Sequence, residues 1–386
     1  MIARVRSYRS AEEAIREWTR LGLDLPERAL GLVPEVRALY VEGRTRDLEP
    51  ILREARSDSM ICALTEKGHR PRLCLVAEDD ELEALGALLD TDLLTAALER
   101  YGSDGAPPVP LPGGRLTFDR QLVMGILNVT PDSFSDGDRY IEPEVGLRRA
   151  LLMAEEGADI IDIGGESTRP GAEPVPLAEE LRRTVPVIRL IAAQTNVPIS
   201  IDTRKAEVAR AAIEAGARII NDISGLEDPA MARVAAENAV PVVLMHSLSD
   251  PRTMQERVTA DTYDDIVSDI MWQWEERMAR AEAAGLGRDS IILDPGIGFG
   301  KLLEHNLAIL GRLREFRCSG RPLLVGASRK GFIGKLTGET ADQRLGGSLA
   351  AAAILVMNGA SVVRVHDVKE TVGLVRTLDA VRNLTI

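Results

Sequence analysis

Apolar runs that end abruptly in a polar residue recur along this chain from residue 122 onward, and that rhythm constrains its fold more than any other feature. The run over residues 122–127 stops at Asn128, and the run over 160–163 enters GGESTRPGA. Later runs stop at Asp202 (ISID), at Asn221 and Asp222 (RIIND), at His246 (VVLMH), at Asp294 (IILD), at Ser328 (LLVGAS) and at His366 (VVRVH). Each is short enough for a buried strand, and a plausible helix follows each. Eight βα units in about 275 residues predict a (β/α)8 TIM barrel, an α/β fold whose active site lies at the C-terminal ends of its strands. The unusual polar residues of this chain stand at those ends.

The first strand delivers a loop with more hydrogen-bonding capacity than a connection needs: Asn128, Thr130, Asp132, Ser133, Ser135, Asp136 and Asp138. A solvated surface loop is the alternative reading. The formal net charge of −13 argues against nucleic-acid or membrane partners, both polyanionic. An anionic small molecule must then be held by a few local cations, with Arg169, Lys330, Arg364 and His366 as candidates. Three scattered cysteines make neither a disulfide framework nor a zinc site. With no apolar h-region at the N-terminus and no apolar run of spanning length, a cytoplasmic location is expected.

A chain of 386 residues suggests two domains. Residues 1–101 depart from the barrel rhythm and predict a small α/β domain, with strands near 2–8, 37–42, 60–64 and 73–77 and helices near 11–21, 47–56 and 80–101. Its role is not written in its residues; packing or oligomerisation is the plain reading. The stretch 102–114, GSDGAPPVPLPGG, cannot hold a helix or a central strand and reads as the linker. The barrel then occupies 115–386, with residues 115–119 expected as a short strand over its base. Gly157 is a suitable stop for a helix over 142–156, and Asp228 with Pro229 reads as the N-cap and N1 of the fourth barrel helix. Further helices are expected over 263–284, 305–316 and 342–357, the last rich in Ala and Gly and suited to close contact on the barrel or at a homodimer seam. Trp272 and Trp274 cannot share a helix face, so one is expected in the core and the other partly exposed.

Asp202 and Asp294 each end an apolar strand, where a carboxylate can accept paired N–H bonds from a flat heterocycle. An N-cap role is the alternative for Asp202. Asn221 brings a donor and an acceptor suited to the same ring, while Asp222 is equally a cap. GIGFGK over 296–301 fails as a phosphate loop, because Lys301 is followed by Leu302 rather than Ser or Thr. Its glycines suit tight turns beside a ligand, with Phe299 as an aromatic wall. SRKGF sets Arg329 and Lys330 at the seventh strand end, where barrels often hold anions, although a solvated basic loop would look alike. Arg364 and His366 alternate along the last strand and share a side, an arrangement that calls for an anion such as phosphate or pyrophosphate. With Asn128 and Arg169 they could surround such a group and its Mg2+.

Together NVTPDSFSDG, ESTRPGA, SIDT, INDISG, DPGIGFGK, SRK and RVHDV, in this order between residues 122 and 386, resemble dihydropteroate synthase. The resemblance does not reach the first 110 residues. It implies condensation of 6-hydroxymethyl-7,8-dihydropterin pyrophosphate with p-aminobenzoate, led by departure of pyrophosphate and completed by attack of the arylamine. It also implies a role for each motif residue: Asp202, Asn221, Asp294 and Lys330 on the pterin, with Met245 and Arg364 lining its pocket. Asn128, Arg169, Arg364 and His366 would hold pyrophosphate, Asn128 also serving Mg2+. Thr168, Pro170, Phe299 and Lys330 would form the p-aminobenzoate pocket, where sulfonamides would compete. Gly331 departs from the Ser common in the family and would loosen a contact to the p-aminobenzoate carboxylate. The competing readings are a methyltetrahydrofolate-corrinoid methyltransferase, which has no need of the pyrophosphate set, and a non-catalytic pterin-binding protein.

Overall fold

In a computed structural model that describes residues 1–26, 29, 37–57, 60–89, 91–130, 143–167, 172–248, 258–382 and 384, the eight apolar runs all enter one parallel sheet. The chain divides into two units. One comprises Met1–Asp104 with Asp261–Trp272 and Arg314–Gly320; the other comprises Gly105–Ala260, Gln273–Leu313 and Arg321–Ile386.

The first unit carries an antiparallel sheet of β1 (Ile2–Arg6), β2 (Arg37–Glu42), β3 (Ile61–Thr65) and β4 (Arg72–Ala77), in the order β1-β2-β4-β3. Helix α1 (Ala11–Leu21) forms where the sequence reading expects it. Ser10 accepts the Glu13 N–H at its start, and Gly22 adopts φ +70° at its end. Its buried residues Ala14, Trp18 and Leu21 pack with Tyr8, Tyr40, Ile61, Cys74 and Val76 in one core. The helical stretch near 80–101 is two helices, α3 (Asp79–Leu88) and α4 (Asp92–Gly102), which follow α2 (Thr45–Ser57). Charge is buried here as well. Arg4 is fully buried, donating to Glu315 at 2.6 Å and to Ser268 Oγ at 2.8 Å, and it lies over the Tyr40 ring. Arg72 meets Glu42 at 2.6 Å. Such paired and hydrogen-bonded charges are the form in which ions tolerate burial.

In the second unit a hairpin of β5 (Val109–Leu111) and β6 (Gly114–Leu116) comes first. Proline is tolerated in so short an edge pair. Val109, Leu116 and Phe118 pack against Leu122, Ile160, Ile219 and Val362, the opening residues of their barrel strands, so the hairpin closes the base. The barrel strands are β7 (Leu122–Asn128), β8 (Ile160–Gly164), β9 (Ile199–Asp202), β10 (Ile219–Asp222), β11 (Val242–Met245), β12 (Ile291–Asp294), β13 (Leu324–Val325) and β14 (Val362–Val365). All pair in parallel, and a bridge between Leu293 and Leu323 joins β12 to the β13 segment, closing the ring.

The barrel helices are α5 (Pro143–Glu156), α6 (Leu177–Ala192), α7 (Ala206–Ala215), α8 (Met231–Glu237), α9 (Ile266–Ala283), α10 (Leu303–Gly311), α11 (Gly331–Thr337), α12 (Leu345–Met357) and α13 (Val368–Arg382). Gly157 stops α5 at φ +101°, as expected. Trp274 is fully buried and Trp272 half-buried. Three expectations need correction. Asp228 makes the local cap bond, its Oδ1 accepting the Ala230 N–H at 2.9 Å, but α8 itself begins only at Met231, and the second oxygen, Oδ2, accepts the Ala206 N–H at 3.0 Å at the start of α7. The helix expected over 305–316 ends at Gly311 and gives way to a 3-10 segment, Leu313–Ser319. And α11, seven residues with two glycines, grows out of the SRKGF segment that reads as a loop.

Candidate active site

Parallel pairing sets the strand-end residues level with one another. Asn128 stands beside Gly164, Gly164 beside Asp202, and Asp202 beside Asn221. Gly164 leaves a notch there: a Cβ on it would lie 3.6 Å from Asn128 Oδ1 and 3.7 Å from Asp202 Oδ2. Further round the ring Met245 pairs with Asp294.

Arg364 reaches into this rim from β14. Its Nε donates to Asp162 Oδ2 at 2.6 Å and its Nη2 to Asp202 Oδ2 at 2.7 Å. The anions that this cation meets are thus the protein's own, where the sequence reading called only for a bound phosphate. Asn221 Nδ2 donates to the same Asp162 Oδ2 at 3.0 Å. Asp162, Asp202 and Asn221 are all buried, and Oδ1 of each aspartate has no hydrogen-bond partner. Two open carboxylate oxygens in a buried rim are acceptors prepared for a donor. Asp202 does not cap α7, whose N-cap is Lys205. Asp162 escaped the sequence reading; its one signal is a lone acid on the inward side of an otherwise apolar strand, two residues from Gly164.

Asp294 accepts the Gly296 N–H at 2.7 Å. Gly296 is required at its place: at φ +66° a Cβ would meet the His246 carbonyl oxygen at 2.0 Å. Lys330 donates to the Ile297 carbonyl and holds its ammonium 4.6 Å from the centre of the Phe299 ring. The lysine, the aromatic wall and the Asp294 turn therefore form one cluster. Lys301 makes its hydrogen bonds within its own loop and to His246, close enough to Asp294 for its charge to oppose the rise of that carboxyl. It is buried, with Nζ 2.9 Å from His246 Nδ1 and 3.0 Å from the Phe299 carbonyl, a brace beneath the loop.

Arg329, next to Lys330, adopts φ +57°, an uncommon conformation for a side chain with a Cβ. Its N–H donates to Ser348 Oγ at 2.9 Å and its guanidinium pairs with Asp367, so it is anchored and not a free basic loop residue. His366 donates its N–H to Ser328 Oγ at 3.2 Å, and its Nδ1 lies 3.1 Å from the same oxygen. Asp222 acts as the turn residue expected of a cap, accepting from the N–H groups of Ser224 and Leu226. Thr168, Arg169 and Pro170 lie outside the described residues.

The electrostatics are strained in a particular sense. Burial pushes the Asp202 carboxyl up to about 7 against the pull of Arg364, with neighbouring Asp162 adding to the rise. Burial likewise raises Asp294, opposed by Lys330. It brings the Lys330 ammonium down to about 8, opposed by Asp294. A ligand that donates to these carboxylates and accepts from Lys330 would relieve all three.

A family described as pterin-binding enzymes matches residues 124–366. The chain is 50% identical over 268 residues to the dihydropteroate synthase of Escherichia coli (strain K12), spanning 69% of this chain and 94% of that relative. Among solved structures, Xanthomonas albilineans dihydropteroate synthase with 4-aminobenzoic acid superposes with a TM-score of 0.68 at 46% identity, covering 72% of this chain and all of that one. A Yersinia pestis dihydropteroate synthase in a sulfonamide drug complex does so with a TM-score of 0.68 at 45% identity over the same shares.

Proposed function

From the premise that this chain belongs to the family of pterin-binding enzymes, we propose how its rim divides the work of one reaction. The chain is a dihydropteroate synthase, condensing 6-hydroxymethyl-7,8-dihydropterin pyrophosphate with p-aminobenzoate to give 7,8-dihydropteroate and pyrophosphate. Neither the corrinoid methyltransferase nor the binding-protein reading has an observation in its favour.

One observation carries the assignment of the pterin site: the open Oδ1 atoms of Asp162 and Asp202 beside Asn221. An amino-pyrimidine edge presents the donors these acceptors lack. Asp202, Asn221 and Asp294 bind that ring, Lys330 closes it from the side, and Met245 lines its pocket. Arg364 and His366, with Arg169, take the pyrophosphate. The bond between the exocyclic methylene carbon and the pyrophosphate oxygen breaks, leaving a cation on the pterin. The amine of p-aminobenzoate then forms the C–N bond and gives up a proton. Thr168, Pro170, Phe299 and Lys330 hold the arylamine, and sulfonamides compete there. The work is positioning and stabilisation of separating charges.

Among the described residues no group of three or more His, Cys, Asp or Glu is placed to hold a metal ion. The half-buried Asn128 offers a single carbonyl oxygen, facing the Gly164 notch. That suits Mg2+, which keeps several waters and draws its other ligands from phosphate oxygens. When bound it would offset the charge of the leaving pyrophosphate. A homodimer is supported by Leu307, Ile354, Met357 and Val381, apolar residues exposed on α10, α12 and α13, where α12 contacts both other helices. Light scattering should give twice the chain mass, and Met357→Lys should lower it; a wild-type monomer contradicts the assignment. A cytoplasmic location is supported by three free cysteines and by the lack, among the described residues, of a helix long and apolar enough to cross a membrane.

The test is a pterin titration of wild type and Asp202→Asn. Loss of about a hundredfold in affinity, some 2.7 kcal/mol, is expected when the buried anion is removed. Unchanged affinity refutes the assignment.

A further inference from the structure

The loop that leaves β8 carries Thr168, Arg169 and Pro170, and the residues at its two ends are joined by a single side chain. Glu166 Oε2 accepts the Val175 N–H at 3.1 Å, so the carboxylate at the loop's start holds the backbone at its finish. Val175 lies just ahead of α6, which begins at Leu177. The same carboxylate is fixed by two cations. Lys205 Nζ meets Glu166 Oε2 at 2.5 Å, and Arg204 Nη2 meets Glu166 Oε1 at 3.0 Å.

Lys205 also pairs with Glu180 of α6, a fully buried carboxylate whose other oxygen accepts from Thr203 Oγ1 at 2.6 Å. Arg183 of α6 donates to the Gly165 carbonyl at 2.9 Å. Gly165 itself is pressed against α6, since a Cβ there would meet Thr184 Cγ2 at 2.7 Å. The network's side-chain exposure is low: 10% for Glu166, 1% for Glu180 and 22% for Arg204 and Lys205. Its cations follow Asp202 by two and three residues in sequence. The segment that ends in the pterin carboxylate therefore continues directly into the groups that grip the root of the other loop.

We propose that Glu166, Lys205 and Arg204 form a positioning clamp that fixes the two flanks, Glu166 and Val175, of the segment that carries Thr168 and Pro170. The bonds of Lys205 and Arg204 to Glu166, and its bond to the Val175 N–H, place their action at the two ends of that segment. The proposal rests on the reading that Thr168 and Pro170 hold p-aminobenzoate. It implies that the clamp governs one substrate more than the other, because Asp202 is also held by Arg364 and by its strand.

The experiment measures KM for p-aminobenzoate, pterin affinity by titration, and Tm in Glu166→Gln, Lys205→Met, the double variant and Lys205→Arg. Glu166→Gln is expected to raise KM for p-aminobenzoate about tenfold with pterin affinity within twofold of wild type and Tm within about 3 °C. Lys205→Met should act in the same direction, the double variant no worse than the poorer single one, and Lys205→Arg should restore most of the loss. An unchanged KM for p-aminobenzoate in both single variants overturns the clamp. So does a parallel loss for both substrates that tracks Tm, the mark of a merely structural pair. Thr168→Ala separates this from the underlying assignment. A raised KM in Thr168→Ala with a normal one in Glu166→Gln overturns the clamp alone. A normal KM in Thr168→Ala with a raised one in Glu166→Gln removes Thr168 from the pocket and leaves the clamp standing.

Discussion

Replacing Arg364 by Gln should uncover how much of this rim is held together by one cation. Its guanidinium bonds Asp162 at 2.6 Å and Asp202 at 2.7 Å; the side chain is 19% exposed, against 0% and 6% for the two carboxylates. Removing one partner of a buried ion pair costs about 3–5 kcal/mol, and partial exposure places this case near the lower end, about 3 kcal/mol. At about 2–4 °C per kcal/mol for a domain of this class, Tm should fall by roughly 6–12 °C at pH 8. The deficit should also depend on pH. Asp202 already has a folded pKa raised to about 7, so its contribution to stability is fully present below its unfolded value near 4 and is lost as pH rises through 7. Without the guanidinium the carboxyl rises further, and its proton neutralises the unpaired charge. Each pH unit on the acid side recovers up to about 1.4 kcal/mol. Urea unfolding at pH 5.5 and pH 8 would measure this, and the loss at pH 5.5 should be under half that at pH 8. Adding Asp162→Asn should recover part of it at pH 8. A loss below 1 kcal/mol, or one equal at both pH values, would refute the reasoning.

The pH profile of kcat/KM should be a narrow bell. It should rise through about 7 as Asp202 ionises and fall through about 8 as Lys330 loses its proton; a profile flat from pH 6 to 9 contradicts this. The linkage signs agree: stability from Asp202 is lost as pH rises through 7, and that from Lys330, whose pKa is depressed, is lost as pH falls through 8, so a bound pterin should raise Tm most between those values. Gly331→Ser should be tolerated, because a Cβ at Gly331 meets nothing within 4 Å. The added hydroxyl should lower KM for p-aminobenzoate by roughly two- to tenfold, the range of one hydrogen bond, with Tm within about 2 °C; an unchanged KM would show that the departure at this position has no bearing on that substrate, and a raised one would contradict the expected contact.

The barrel was legible because each strand is announced by an apolar run and closed by a polar residue. The strands ending at Asp202, Asp294 and Val365 begin and end where the sequence reading sets them. Helix starts were less legible where tertiary contacts override local capping. Asp228 caps locally through Oδ1, yet α8 starts only at Met231 and the second oxygen serves α7, and only the folded chain brings Ala206 to it. The site divides in the same way. Asp202, Asn221, Asp294, Lys330 and Arg364 could be named because a polar group at a strand end is conspicuous. Asp162 could not, since its meaning lies in Arg364, 202 residues away, and a single acid inside IIDIG carries no periodic signal. Nor could the proposed Glu166 clamp, whose members come from two segments nearly forty residues apart. The pairing of Lys301 with His246 was likewise hidden, since the two come from different strand ends.

The most direct measurement is turnover of dihydropterin pyrophosphate and p-aminobenzoate by the purified protein with Mg2+, beside Lys330→Ala and Asp202→Asn. Dihydropteroate formed by wild type, with kcat/KM reduced at least a hundredfold in each variant that retains its Tm, is the predicted result. Product formed equally well by all three proteins would contradict the assignment of this rim as the site of the reaction.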